Sequence, residues 1–415
     1  VSIPTCDKRK AIVLASVVPP SRRTRIIVKP WLSFIGLSDD SAANLPAASR
    51  AALDGAEVVF GGPRHLALAD VGDRGRPWPV PFLVDPVLAC RGRRTAVLTS
   101  GDPFWFGAGG SLSAHLDTSE WQTFAAPSTF SLVAAHLGWR LENITCHGLH
   151  AAPFARLRSV LAPHARLICL VRDGDAPALL ATWLTGQGAG DATLWVMQGM
   201  GGMDQRVRQS TASAFDLTDI LPPVAVAIDL PGDVGLPRVA GLRGDSFVHN
   251  GQITKRPIRA LTLSALAPRL GEMLWDVGAG SGSIAVEWCL AGGHATAFEQ
   301  KPSRAENIRR NAEGFGLTHR LTIVEGDSNT TLAGHAAPDA VFVGGGGTAA
   351  LFDHLFTLLP VGTRLVANGV TLETEALLAQ LHATCGGTLL RIELAQAEPL
   401  GRMRGWQPAR PVVQW

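Results

Sequence analysis

The sequence predicts an α/β protein of two domains, and three observations carry that expectation. Strand-like apolar runs alternate with helix-like stretches through both halves of the chain. A segment dense in Pro and Gly near 231–241 separates the halves. In the second half, "LWDVGAGSGSIAVEW" (274–288) sets Gly278, Gly280 and Gly282 directly after Asp276, the pattern of a tight turn from a buried strand into a helix. With 415 residues, 46% of them hydrophobic and 17% charged, the chain is long enough to bury two ordinary cores.

In the first half, "WLSFIGL" (31–37) predicts a strand ending in Gly, and "LPAASRAALDGA" a short helix that starts at Pro46. "EVVFGG", "RTAVLTSGDP", "RLICLVRDG" and "ATLWVMQGM" predict further strands, each closed by Gly or Asp, with helices at "FSLVAAHLGW" and "APALLATWL" between them. The second half reads more cleanly. A strand and turn at "GEMLWDVGAG" lead into the helix "SIAVEWCL", then the strand "HATAFEQ". "PSRAENIRRNAEGFG" predicts a helix with Pro in its first turn and Gly at its end. "LTIVEGD", "DAVFVGGGG", "ALFDHLFTLLP", "TRLVANGV" and "LETEALLAQLHATC" continue the alternation, with spacing suited to right-handed crossovers in a doubly wound sheet. The expected boundaries are a basic tail at 1–30, a first domain at 31–230, a linker at 231–240 and a second domain at 241–415.

Composition narrows the function. Lys8, Arg9, Lys10, Arg22, Arg23, Arg25 and Lys29 face a single acid, Asp7, in the tail, so the rest of the chain is net acidic although the whole carries +2. A basic excess confined to a tail gives little support to nucleic-acid binding. No apolar run approaches the roughly 20 residues that span a bilayer. "AIVLASVV" is too short for a clear export signal, which leaves an uncleaved leader, a targeting segment or an overlong start as readings of the tail. The six cysteines at 6, 90, 146, 169, 289 and 385 form no C-x-x-C pair. They read as reduced thiols in a cytoplasmic protein, with no iron–sulfur cluster or structural zinc. The histidines are scattered too, so no metal is expected.

A turn like that of 278–282 gathers backbone N–H groups and lets a ligand approach where a Cβ would collide. Nicotinamide dinucleotides and S-adenosylmethionine both suit it, so the neighbouring acids decide. Asp276 can orient the loop or reach a ligand amino group. Glu299, at the end of the second strand, can accept both hydroxyls of a ribose, and Asp327, closing the third, can accept an adenine amino group. Taken singly, the last two also read as solvated strand-end acids or helix caps. Three acids at matched positions on consecutive strands favour S-adenosylmethionine.

"DSFVHNGQITKRPIRALTLSALAP" (245–268), "WDVGAGSGSIAVEW", "FVGGGG" and "PLGRMRGWQPARPV" follow one another over nearly all of 241–415. In this run the second half resembles the class I methyltransferase family, and more closely the decarboxylating C15-methyltransferase domains of cobalamin biosynthesis. Pro257 stands where an acidic residue is more usual. In the first half, "SGDPFWFG" (100–107) joins "WLSFIGL", "PSTFSLVAAHLGW" and "MQGMGGMDQRV" in a resemblance to the tetrapyrrole methylase family over roughly 31–230, closest to cobalamin-pathway C5-methyltransferases. That resemblance implies two α/β subdomains clamping the cofactor. Gly101, Asp102 and Pro103 would form the loop against its methionine part, with Ser128 and Thr129 at a helix start facing its carboxylate or ribose, and the stretch ending at Met200 on the adenine side. Gln198 and Gln205 stand where that family often has Glu, and "GLSDD" replaces a more glycine-rich first loop.

Together the resemblances imply a fused enzyme with one S-adenosylmethionine per domain. It would methylate C5 and C15 of precorrin-6B and decarboxylate the C12 acetate, giving precorrin-8. A ring carrying several carboxylates calls for cations, and Lys255, Arg256 and Arg259, with Arg402 and Arg404, are the candidates. An electron-rich tetrapyrrole supplies its own carbon nucleophile, so no catalytic residue is assigned. Neither nucleic acid nor a membrane is an expected partner; a homo-oligomer is. The alternatives are an RNA methyltransferase, which calls for a basic cleft on a net-acidic core, and a partly inactive S-adenosylmethionine-binding protein.

Overall fold

The computed structural model describes residues 30–38 and 44–415, so the basic tail expected at 1–30, apart from Pro30, and part of "GLSDD" lie outside the described residues. Two compact units divide the chain at Pro127 and Ser128.

In the first unit, strands β1 (Leu32–Leu37), β2 (Val58–Gly61), β3 (Gly75–Pro77), β4 (Thr95–Ser100) and β5 (Trp121–Phe124) form a parallel sheet in the order β3-β2-β4-β1-β5. β1 is buried along its whole length, as the unbroken apolar run of a central parallel strand requires. Pro46 caps the helix Ala47–Asp54, one residue ahead of its first turn.

The second unit holds two larger sheets. The first comprises β6 (Ile144–Gly148), β7 (Arg166–Val171), β8 (Thr193–Gln198), β9 (Arg206–Thr211) and β10 (Val224–Asp229), in the order β6-β7-β10-β8-β9. β10 pairs antiparallel with both β7 and β8, so the stretch "VAVAID", which the sequence presents only as an approach to a Pro-rich break, is the central strand. The segment after it is packed, not a free tether. Leu236 lies against the core of the next sheet, and a Cβ on Gly235, at φ +99°, would stand 2.1 Å from the Leu161 carbonyl oxygen.

The second of these sheets contains β11 (Met273–Val277), β12 (His294–Glu299), β13 (Leu321–Glu325), β14 (Ala340–Val343), β15 (Arg364–Gly369), β16 (Leu390–Ile392) and β19 (Val412–Gln414). Its order is β13-β12-β11-β14-β15-β19-β16. The first five in that order are parallel, and β19 runs antiparallel to β15 and β16. β17 (Ala395–Leu400) and β18 (Met403–Pro408) form a separate exposed hairpin. The strand order reverses between β11 and β14, which opens a crevice at their carboxyl ends. Ser283 to Cys289 of the helix following β11 are buried on every face, Glu287 among them. A carboxylate in that position requires a partner, and Arg259, with no exposed surface, supplies it.

Candidate active site

The turn after β11 is built as its glycines demand. Gly278, Gly280 and Gly282 have φ of +69°, +63° and +70°, left-handed values that disfavour any side chain. A Cβ on Gly278 would also stand 2.3 Å from the Gly345 carbonyl oxygen, so the turn and the loop after β14 touch backbone to backbone. Glu299 fastens the turn from the next strand. Its Oε2 accepts from the Gly280 N–H at 2.8 Å, and its Oε1 from the Lys301 N–H at 2.9 Å.

Asp276 is 1% exposed, and its Oδ2 accepts from the Ala285 N–H at 3.1 Å. Oδ1 is buried without a partner, as is the Ser281 hydroxyl nearby in the sequence. Burial, with a smaller push from the Glu299 charge against the Ala285 hydrogen bond, raises the Asp276 carboxyl to about 7. Orphaned buried acceptors beside an open glycine turn fit a ligand that brings donors and positive charge. A cavity of about 610 Å³ opens there, floored by Gly278, Gly280, Gly344 and Gly345 and reached by Lys255, Arg304, Asn368 and Arg410. That volume suits a small-molecule site.

The cationic set expected from the sequence is partly corrected. Lys255 lines the cavity. Arg259 does not: its Nε donates to Glu287 Oε1 at 2.5 Å, Nη1 to the Thr254 carbonyl at 2.5 Å and Nη2 to the Leu242 carbonyl. Those donors are committed, so Arg259 is a structural residue and not a substrate contact. Arg256 is exposed at the start of its helix, and Arg402 and Arg404 sit on the exposed β17–β18 hairpin; none of the three lines the cavity. Arg304 and Arg410 take their places. Arg410 lies within "QPARPV", a motif already singled out. Arg304, in the first turn of the helix Pro302–Gly314, also hydrogen-bonds Gln252 on the cavity wall and carries no sequence signal of its own.

Asp327 is an exposed helix cap. Its Oδ1 accepts from the Asn329 N–H at 3.0 Å, one of the two readings its position allowed.

In the first unit, Gly101 is left-handed at φ +60°, and Asp102 Oδ1 accepts from the Phe104 N–H at 2.8 Å, which closes the turn that holds Pro103. A Cβ on Gly36 would stand 1.8 Å from the Gly101 carbonyl oxygen. In the second unit, Ser128 caps the helix Thr129–Leu137 by accepting from the Ser131 N–H at 3.1 Å. Met200, which ends the stretch expected on the adenine side, is buried in a cluster with Phe130 and Val133. Gln198 accepts from Arg208, and Gln205 from the Gly201 N–H; both amides serve as local acceptors where a carboxylate had seemed the norm.

Fold and turn fit an S-adenosylmethionine-dependent methyltransferase, and comparison with known proteins decides for that class. Residues 32–216 match the tetrapyrrole (corrin/porphyrin) methylases, and 245–415 the precorrin methyltransferase domain. A precorrin-6Y C(5,15)-methyltransferase (decarboxylating) from Sinorhizobium sp is 44% identical over 94% of this chain and 96% of its own. The protein of the same name from Mycobacterium tuberculosis H37Rv is 38% identical over 92% and 98%. The crystal structure of the C-terminal domain of precorrin-6Y C5,15-methyltransferase from Rhodobacter capsulatus covers 43% of this chain and 98% of its own, at 58% identity and a TM-score of 0.43. The chain belongs to the precorrin-6Y C5,15-methyltransferase (decarboxylating) family, whose members act in cobalamin biosynthesis.

Proposed function

We propose that the chain methylates C5 and C15 of precorrin-6B and removes the C12 acetate carboxyl, giving precorrin-8, with one S-adenosylmethionine bound in each of two domains, 31–230 and 241–415, joined through 231–240. C5 methylation belongs to the first domain, and C15 methylation and decarboxylation to the second. The observation that carries this reading is the cavity at the β11–β14 crevice, where Gly278, Gly280, Gly344 and Gly345 meet Lys255, Arg304 and Arg410 in one lining. Those glycines in the lining leave room for a broad flat ring, and the cations meet its carboxylates.

When bound, the cofactor supplies an electrophilic methyl group. Asp276 would accept from its ammonium group, the Gly278–Gly282 turn would take its backbone close, and Glu299 would hold that turn and offer its remaining lone pairs to the ribose. Asp327 remains the candidate for the adenine amino group. In the first unit Gly101, Asp102 and Pro103 are the candidates for the cofactor's methionine part, and in the second unit Ser128 and Thr129 for its carboxylate or ribose. For the nucleophilic ring carbons the enzyme's task is orientation, which is where most of the acceleration of such a transfer lies. Exposed Leu400, Met403 and Trp406 on the β17–β18 hairpin support a homo-oligomer. No helix among the described residues is long and apolar enough to cross a membrane; we read the enzyme as cytoplasmic.

Two glycines test the division of labour. Gly36→Ala and Gly278→Ala each drive a Cβ into a carbonyl oxygen in a different domain. Equilibrium dialysis of methyl-labelled S-adenosylmethionine should find two equivalents on the unmodified chain and one on each variant, with a single methyl added to the substrate in either case. One equivalent on the unmodified chain would overturn the two-site reading.

A further inference from the structure

Behind the wall of the second-domain cavity, three uncharged polar side chains from distant parts of the sequence meet at Asn368, the one of them that lines the cavity. This residue is the last but one of β15, one strand beyond the Gly344–Gly345 loop and on the far side of it from the Gly278–Gly282 turn. Asn368 Nδ2 donates to Thr262 Oγ1 at 2.9 Å, and its Oδ1 accepts from Gln414 Nε2 at 2.9 Å. Gln414 Nε2 also lies 3.0 Å from Thr262 Oγ1, whose own proton goes to the Ile258 carbonyl at 2.8 Å. Thr262 is wholly buried and Gln414 is 6% exposed, whereas Asn368 is half-buried and lines the cavity. An amide has two N–H groups and two oxygen lone pairs. The network uses one of each, fixes which end of the amide is which, and leaves one donor and one acceptor on a residue of the cavity wall.

The cavity therefore offers a carboxylated ring two kinds of partner, the cations of Lys255, Arg304 and Arg410 and a locked neutral amide. They differ in what they do to a carboxylate about to leave. In the decarboxylation the bond between methylene and carboxylate breaks, its electron pair passes into the conjugated ring, carbon dioxide departs, and a proton from solvent converts the methylene to methyl. Negative charge leaves the carboxylate as the bond breaks, so a cation holding it stabilises the starting state more than the transition state and slows the step. A neutral donor in a fixed direction sets the bond's orientation to the ring with far less of that penalty. We propose that Asn368, held by Gln414 and Thr262, is the positioning residue for the departing C12 acetate, while the cations hold the side chains that stay. This inference rests on the function proposed above.

The test is Asn368→Ala and Gln414→Leu in the full-length chain, with precorrin-6B and excess S-adenosylmethionine, scored by product mass. Asn368→Ala should slow decarboxylation by about 10- to 100-fold in kcat, a magnitude typical of lost orientation. KM should move less than about threefold, and the methylated product that accumulates should retain its carboxyl. Gln414→Leu, which frees the amide to turn without removing it, should give the same product pattern with a smaller loss. Decarboxylation at the unmodified rate in Asn368→Ala overturns the proposal. So does a loss shared equally by decarboxylation and cofactor binding, which marks a structural role. If the unmodified chain leaves precorrin-6B unchanged, the underlying function fails as well, an outcome distinct from the other two.

Discussion

Asp276→Asn is expected to make the protein more stable above pH 7 and at the same time to cost it the second-domain cofactor. The Asp276 carboxyl is raised to about 7 from an ordinary 3.8, chiefly by burial. Between those values the folded chain keeps a proton that the unfolded chain has released, so stability falls as pH rises through that window. Below about 3.8 the penalty is absent; above about 7 it is complete, on the order of 4 kcal/mol at most. Asparagine keeps an acceptor for the Ala285 N–H and never ionises. The gap between variant and parent in midpoint denaturant concentration should open between pH 4 and 7 and then stay level, and a gap independent of pH would show that Asp276 is not the titrating group. Cofactor binding should move the other way. Losing a buried charged acceptor should weaken the second-domain site about 30-fold, and in the parent the same site should weaken as pH falls below 7, because Asp276 must give up its proton to bind an ammonium group.

The second large effect lies away from the cavity. Arg259 and Glu287 form a buried ion pair in which Glu287 also accepts from the Gly241 and Leu242 N–H groups at 2.6 and 2.9 Å. The Arg259 guanidinium rests 4.7 Å from the Phe247 ring centroid. This cluster pins the entry of the chain into the second domain. Arg259→Met leaves a buried carboxylate without its counter-charge and should cost about 3–5 kcal/mol of stability. The double variant Arg259→Met/Glu287→Gln should recover part of that loss, since no isolated charge then remains. Denaturant unfolding of the two variants decides the matter. If Arg259→Met were as stable as the parent but bound substrate poorly, the side chain would return to the set of substrate contacts.

That correction illustrates where sequence reasoning reached its limit. The turn at 278–282 was legible because its requirements are local: strand, left-handed glycines and helix follow one another within fifteen residues. The matched placing of the acids was not, because Glu325 is the register partner of Glu299 and Asp327 lies two residues past β13. β10 was not legible as a central strand, because Pro222 and Pro223 before it and Pro231 after it read as a break, while its two partners lie well upstream in the chain. Arg259 stands beside Lys255 and Arg256 in a run that looks uniformly solvated. Only the buried Glu287, brought near by the packing of two helices, separates it from them. Asn368 and Gln414 are ordinary polar residues in sequence and acquire meaning when β15 and β19 pair antiparallel. Local chemistry could be read from the chain; choices that depend on which distant side chain is buried opposite could not.

The most direct test of the central claim is the mass of the product formed from precorrin-6B and excess S-adenosylmethionine by the full-length protein. The account predicts a gain of two methyl groups and the loss of one carbon dioxide. Intact substrate recovered unchanged from folded protein would contradict it.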